Sequence, residues 1–483
     1  MATINSAFDL ISGALDADQS ALNFVANNVA NANTVGYTRE TPNWQENSPV
    51  QISGVSYGAG VRVTGPTSER DSILNQRLAQ QQQVESASSA RLSALDSLQA
   101  LFAPDSGSTT SIAGDIGGDI TGFFNSFSSL EANPTDNALR QQVLSTAKTL
   151  SGDISNTAAS LNGQQLALDQ EAAGVTGQVN ALTSAIGQLN QQIQSLSATG
   201  DAGTLEDQRQ QDISQLSQLV GINQVKTENN GLSITTTSGQ LLVSAGASFQ
   251  LSTGISGGLT HFLLGGADVT AEIAGGGGAV GGYLMARDQD VPSALAALDQ
   301  LAYSVTTSVN ALNNAGSNLN GVEGTGTNAA GITGNGPAPL YVFNQPTQVA
   351  GSALSMRLVM TDPNQIAAAG FGNGAGDNSN AVTMANLGTQ LIVSGGTPSN
   401  FYAQFVGNLG STVSVVATEN TAQKASVTQL QAQQNALSGV NLNDEAAALQ
   451  QFERSYQAAS EIFAILNRVI SSALNLGVQT AVS

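Results

Sequence analysis

The 483-residue sequence contains no cysteine and one histidine. Disulfides, thiolate metal sites and a cysteine nucleophile are therefore excluded, as is a multi-histidine metal centre. Charge is scarce, at 10% of residues, and lopsided: 14 Lys or Arg face 35 Asp or Glu, a formal charge of −21. So negative a surface repels phosphate backbones and anionic headgroups, and neither nucleic acid nor membrane is an expected partner. Aromatic residues are 5% against 41% hydrophobic overall, which implies thin cores of Ala, Leu, Val and Ile, as in long helical bundles. No apolar run is long enough to span a bilayer. The opening "MATINSAFDLISGALDADQS" lacks Lys and Arg, so a cleaved secretory signal is not expected. The length itself calls for about two to four domains or one elongated body.

What is present is heptad patterning at both ends. Ile4, Phe8, Ile11, Leu15, Leu22, Val25 and Val29 recur at alternating steps of four and three, interrupted by Asp18. Near the other end Leu442, Leu449, Tyr456, Phe463 and Ile470 recur every seven residues, accompanied by Phe452, Ala459, Leu466 and Ala473. Each stripe needs another helix against it. The pair is expected to be marginal in a free monomer and to become ordered in an assembly.

Between the ends, Leu161, Leu168, Val175, Leu182, Leu189 and Leu196 predict one long helix despite several glycines. Thr204 and Asp207 have the spacing of a capping box that opens a second helix, making an αα-hairpin. Pro292 predicts the first turn of a further helix carrying Leu298, Val305 and Leu312. From 222 the pattern changes to β-branched residues around Asn-Gly and Ser-Gly turns, which predicts hairpins. The Gly- and Asn-rich run at 316–340 reads as irregular, with mixed structure, strands at 341–360 included, before helices resume. The expected fold class is mainly α with β-rich insertions, an α+β multidomain chain. Terminal coiled-coil helices (1–50 with 441–483) pair at one end. A long antiparallel helical middle follows (51–221 with 282–315 and 400–440), a small β insertion (222–281) lies distal to the termini, and 316–399 is variable.

Candidate chemistry is sparse. Gly276, Gly278 and Gly281 fit G-x-G-x-x-G, but no strand precedes them and no βαβ unit surrounds them, so a flexible joint is the better reading. His261, in "LTHFLLGG", reads as a strand residue rather than a general base. The acid pairs Glu206/Asp207 and Asp444/Glu445 fall at helix starts, where the helix dipole accounts for them. Carboxylate-only hydrolysis is left open by sequence, with nothing pointing to it.

The stretch "NNVANANTVGYTRE", 27–40, stands where the first seam stops. It resembles the N-terminal signature of bacterial flagellar rod, hook and hook-associated axial proteins: an Asn-rich turn (Asn27, Asn28, Asn31, Asn33), then Thr34, Gly36, Tyr37 and Arg39. "SGVNLNDEAAALQQFERSYQAASEIFAILNRVISSALNL" is similar to the C-terminal partner segment in the hook-associated branch, and "LEDQRQQDISQLSQLVGI" and "GGYLMARDQDVPSALAALDQLAYSVTTSVNALN" to helices from the middle of that branch. Gln210 departs from the acid usual there, and the region after 316 is too short for the large outer domain some members carry. The resemblance implies a non-enzymatic structural subunit without cofactor or metal, at the junction of hook and filament. It implies flagellar type III export to the cell exterior, with a chaperone on the C-terminal helix. The implied partners are a ring of the chain's own copies, the hook protein and a second hook-associated protein. Subunit-interface residues are then Ile4, Phe8, Ile11, Leu15, Leu22, Val25, Tyr37 and Arg39, with Leu449, Tyr456, Phe463, Leu466 and Ile470 opposite. A hook or distal-rod subunit is the alternative within the class; a secreted hydrolase or an adhesin using the β insertion are alternatives outside it.

Overall fold

The computed structural model describes residues 2–479 apart from 53, 104–114, 197–200, 229, 328–330 and 332. Helix α1 (Ala2–Asn31) buries Ile11, Ala17, Ala21 and Val25 along one stripe. Strands β1 (Glu40–Glu46), β2 (Val50–Ile52), β3 (Val55–Tyr57) and β4 (Val61–Ser68) follow as one antiparallel ribbon, β1 pairing with β4 and β2 with β3. This ribbon was not anticipated. Pro42 and Pro66 face one another in it, and proline is a poor strand signal, confined to edges such as these.

Helix α2 (Ser72–Ala100) is capped by Asp71, whose Oδ1 accepts from the amides of Ile73 (2.9 Å) and Leu74 (3.0 Å). Asp115 and Asp136 cap α3 (Ile116–Ala132) and α4 (Asn137–Gly174) in the same way. Helix α5 (Thr176–Leu196) continues α4 after a single turn residue at Val175, so the predicted long helix is nearly continuous. Residues 197–200, which follow α5 in sequence, lie outside the described set. Helix α6 (Gly203–Leu219) closes the hairpin. Its predicted capping box is absent: the N-cap is Ala202, without a side-chain bond, and the carboxylate of Asp207 is used elsewhere, as shown below.

The β insertion forms as expected. Strands β5 (Ile222–Lys226), β6 (Leu232–Thr236), β7 (Leu241–Ser244) and β8 (Ala247–Ser248) make one antiparallel sheet in chain order. A second sheet contains β9 (Leu251–Ser256), β10 (Leu259–Leu264) and β11 (Ala267–Asp268), with β10 central. Gly257 and Gly258, both at positive φ, form the two-residue turn between β9 and β10. Asp169 of α4 accepts from Thr260 N and Oγ1, each at 2.8 Å, and from Nη1 of the buried Arg287 at 2.6 Å, tying this sheet to the helices.

Helices α7 (Thr270–Gly276) and α8 (Gly278–Met285) lead through a π-turn at Ala286–Asp290 into α9 (Val291–Ala315). Pro292 stands in the first turn of α9, as expected, although the helical run continues into it through the π-turn. The π-turn supplies the irregularity that a residue without an amide hydrogen requires. The glycines here also serve close packing: a Cβ on Gly278 would meet the backbone of Leu219 and Val220, and one on Gly282 the carbonyl of Ala87, so α8 packs backbone to backbone on α2.

After α9 the chain is irregular but pinned. Asn310 Oδ1 accepts from the amides of Val342 and Phe343, both at 3.0 Å, and Asn314 Oδ1 from those of Thr325 (2.9 Å) and Leu340 (3.0 Å). Strands expected at 341–360 reduce to an isolated bridge, Phe343 to Leu358, because asparagine side chains take up the backbone groups a ladder would use. Helices α10 (Ser352–Ser355), α11 (Ser379–Asn386), α12 (Pro398–Ser438) and α13 (Leu442–Gln479) complete the chain. One core lies among α2, α3, α4, α9, α12 and the 342–393 segment, centred on Phe123, Phe127 and Phe343. A second lies where α5, α6 and α8 cover the β insertion, around Phe262 and Ile234.

Candidate assembly interface at the joined termini

Helix α13 runs antiparallel to α1. Phe8 meets Phe463 edge to face at 5.0 Å, and Asn28 lies against Glu445 at the opposite end of the pair. Trp44 of β1 packs on Phe452 at 6.0 Å, so the ribbon extends the surface that α13 covers. Ile11 and Val25 are buried, while Phe8, Leu15 and Leu22 are half-buried. Phe463, Leu466 and Ile470 are half-buried too, but Leu449 and Tyr456 are exposed. The side chain of Ile4 lies outside the described residues. Three further apolar residues of α13 that the heptad reading missed, Ile462, Ile465 and Val469, are about half exposed, at 50%, 56% and 49%.

The Asn-rich signature is built inward. At its centre Asn28, 1% exposed, donates from Nδ2 to the carbonyl of Glu40 (2.8 Å) and to Glu445 Oε2 (3.1 Å). Its Oδ1 accepts from Tyr37 Oη (2.8 Å) and from the amide of Glu40 (2.9 Å). Asn31 Nδ2 donates to the Asn27 carbonyl at 3.0 Å, and Thr34 N to the Asn31 carbonyl at 2.9 Å, closing the helix end. The left-handed conformation falls to Gly36 alone in this stretch, at φ +79°, where a Cβ would strike Gln211 of α6. The asparagines work as hydrogen-bonding side chains instead.

From there the network crosses to the rest of the molecule. Arg39 Nε donates to Glu445 Oε1 at 2.7 Å, and its amide donates to the carbonyl of Ser438 at 2.9 Å, binding the α12–α13 corner. Thr38 donates from N (2.8 Å) and Oγ1 (2.6 Å) to Asp207, which also accepts from Arg70 Nη2 at 2.6 Å. Arg70 pairs in addition with Glu206, which Asn230 of the β5–β6 turn also reaches, at 3.2 Å. The β insertion thus touches the junction of the termini through one of its turns. Burial, and then the negative charges of Glu40, Asp207 and Glu445, push the Tyr37 hydroxyl well above its ordinary pKa, so it stays a donor. Burial likewise raises Glu40, with the Asn27 bond opposing it.

Tyr37 and Arg39 are therefore spent on bonds within the chain. Sequence spacing offered Asp207 and Glu445 only as acids at helix starts and did not single out Arg70; the structure makes all three part of the knot. Glu206, Asp444 and Glu445 do fall in first helical turns, but Glu445, and Asp207 just past the first turn of α6, are buried acceptors rather than dipole partners facing solvent. His261 lies on β10 and bonds Asp268 at 2.6 Å. Among the described residues no group of three or more His, Cys, Asp or Glu could hold a metal, and no helix is long and apolar enough to cross a membrane.

Long paired terminal helices are joined by a polar knot to a helical body with a β insertion, and known proteins match this chain over most of its length. Residues 10–38 match the family of flagella basal body rod proteins, and 105–328 the helical domain of the flagellar hook-associated protein FlgK. The chain is 24% identical to flagellar hook-associated protein 1 of Salmonella typhimurium, over 96% of this chain and 98% of that one. It is 25% identical to the protein of that name from Escherichia coli (96% and 98%) and 24% to that of Bacillus subtilis (96% and 96%). The solved flagellar hook junction protein FlgK from Burkholderia pseudomallei superposes with a TM-score of 0.63 at 19% identity, over 75% of this chain and all of that one. The chain is a structural subunit of the bacterial flagellum, and from end to end it resembles flagellar hook-associated protein 1.

Proposed function

We propose that the chain forms the junction between hook and filament and is needed for filament attachment. In this reading a ring of its copies sits between the hook protein and a second hook-associated protein. The subunit is exported by the flagellar type III route to the cell exterior, with a chaperone covering α13 beforehand, and its role is mechanical rather than catalytic. The names of the relatives support the position; the observation that carries an assembly role is the state of α13. Its middle stripe is half-covered by α1, yet Leu449 and Tyr456 on one flank and Ile462, Ile465 and Val469 on the other are bare. At about 100° per residue these flanks lie on either side of the α1-facing stripe, as a helix wedged among several neighbours requires.

The interface residues named from sequence then act in three ways. Ile4, Phe8, Ile11, Leu15, Leu22 and Val25, with Phe463, Leu466 and Ile470, build the two-helix wall, and Leu449 and Tyr456 meet the next copy. Tyr37 and Arg39 hold the wall to the body. The corresponding units are 1–50 with 441–483, 51–221 with 282–315 and 400–440, 222–281, and 316–399.

Ile465→Asp with Val469→Asp tests this reading. Both side chains are already half in water, so the chain should keep its circular dichroism and thermal midpoint while cells make hooks and shed filaments. Normal filaments on such cells would sink it.

A further inference from the structure

A cleft of about 610 Å³ opens beside the knot, between β4, the start of α2, α6 and the β5–β6 hairpin. Pockets of this size usually take small apolar ligands and are lined accordingly. This one is lined largely by amides and hydroxyls, among them Asn43, Gln76, Gln210 and Gln224. It also gathers three of the chain's 14 cations, Arg70, Arg209 and Lys226, against two acids, Asp201 and Glu206.

Both acids are occupied: Asp201 accepts from Ser68 N and Oγ, and Glu206 pairs with Arg70 and Asn230. Arg209 is turned to Asn190 Oδ1 (2.8 Å) and the Asn230 carbonyl (2.7 Å). Lys226 is exposed and its ammonium meets a neutral group, Ser72 Oγ, at 2.8 Å. Nε of Arg70 is buried without a partner. Two strand edges border the space, since among the described residues β4 pairs with β1 alone and β5 with β6 alone.

We propose that this cleft binds an extended, carboxylate-bearing segment of a second copy of the chain. The two cations of the cleft that bond only neutral groups, Arg209 and Lys226, are complementary to the surface of a chain of charge −21, which is mostly acidic. The β5 edge offers its backbone to a main chain and the amide side chains continue it, whereas on β4 Pro66 has no amide hydrogen and the Ser68 amide is held by Asp201. The site and its occupant lie on different parts of the subunit, so the contact is head to tail and closes a ring or continues a helix. The proposal rests on the assembly reading above but not on α13.

The absence of native cysteine makes Lys226→Cys a unique attachment point. Labelled with a benzophenone maleimide and irradiated in assembled flagella, it is expected to give a product of twice 49.0 kDa whose linked peptide comes from this chain and contains Asp or Glu. Links to another flagellar subunit, links only within one chain, or no link would each overturn the proposal. In parallel, Lys226→Glu should lower filament number at least tenfold at unchanged thermal midpoint, with Lys226→Arg near wild type; equal filament numbers in both would overturn it. Should the cleft variants be neutral while the Ile465 and Val469 double variant sheds filaments, the cleft proposal alone fails.

Discussion

Asn28 and Glu445 are 417 positions apart in the chain and share a 3.1 Å hydrogen bond where each is only 1% exposed. Buried polar groups are costly when left without partners, so this pair fixes register as much as it stabilises. Glu445→Ala strands Arg39 and one donor of Asn28 and should cost about 1–3 kcal/mol in the pairing of α1 with α13. Glu445→Gln keeps an acceptor for one of them and should cost less. Amide exchange in the first turns of α13 would reveal the order; equal protection in both variants would contradict it.

Asp207 carries the connection onward, accepting three bonds from Thr38 and Arg70. Asp207→Ala should remove about 2–3 kcal/mol at this point, since hydrogen bonds to charged groups are the stronger class. The helical cores lie elsewhere and should persist. The expected result is a thermal unfolding trace that splits, the termini melting first and the body near its original midpoint. A single transition displaced as a whole would mean that the termini and body are coupled by other contacts.

The asparagines of α9 perform a comparable task for the irregular segment. Asn314→Ala frees the amides of Thr325 and Leu340, a loss of roughly 1–3 kcal/mol confined to that region. Limited proteolysis should then cut within 318–340 while leaving α3, α4 and α9 intact. Unchanged cleavage would show that close glycine packing alone holds the segment.

Asp119 of α3 provides a pH test. Burial first, then a hydrogen bond to Asp153 of α4, then the charges of Asp153 and Asp115, raise its carboxyl from 3.8 to about 7. A raised carboxyl pKa means the folded state prefers the protonated form. The stabilisation is therefore complete below the unfolded value near 4 and is lost as pH rises through about 7. The body should be more heat-stable at pH 5 than at pH 8, and Asp119→Asn should flatten the difference. A steeper dependence in that variant would locate the titrating group elsewhere.

The terminal helices and the hairpins of the β insertion were legible because heptad spacing and Asn-Gly or Ser-Gly turns are local signals. The ribbon from Glu40 to Ser68 was not: its two longer strands carry proline, its two inner ones are only three residues each, and it gains its place from lying along α1. Asp207 illustrates the same limit at the site. A capping box is the local reading of its spacing from Thr204, but its actual partners, Thr38 and Arg70, lie 169 and 137 positions away. Pro292 marked the first turn of α9, but the sequence gives no sign of the π-turn that joins that helix to α8. On α13, heptad spacing singled out Leu449 and Tyr456 but passed over the likewise exposed Ile462, Ile465 and Val469, which fall between seam positions.

Burial along the chain predicts a gradient of protection in the isolated subunit. Helices α3, α4 and α9 bury side chain after side chain completely, Ile120, Leu150 and Val305 among them, whereas in α13 Glu445 is the buried residue among those described. Local opening follows buried apolar contact, so α13 and the start of α1 should exchange their amides fastest of the long helices, with α9 among the slowest. Neighbouring copies would cover the flanks at Leu449, Tyr456, Ile462, Ile465 and Val469, and protection of α13 should rise in assembled flagella by far more than that of α9. Exchange as slow in monomeric α13 as in α9 would mean that the terminal pair needs no neighbours, and would remove the physical reason for reading its bare flanks as an assembly surface.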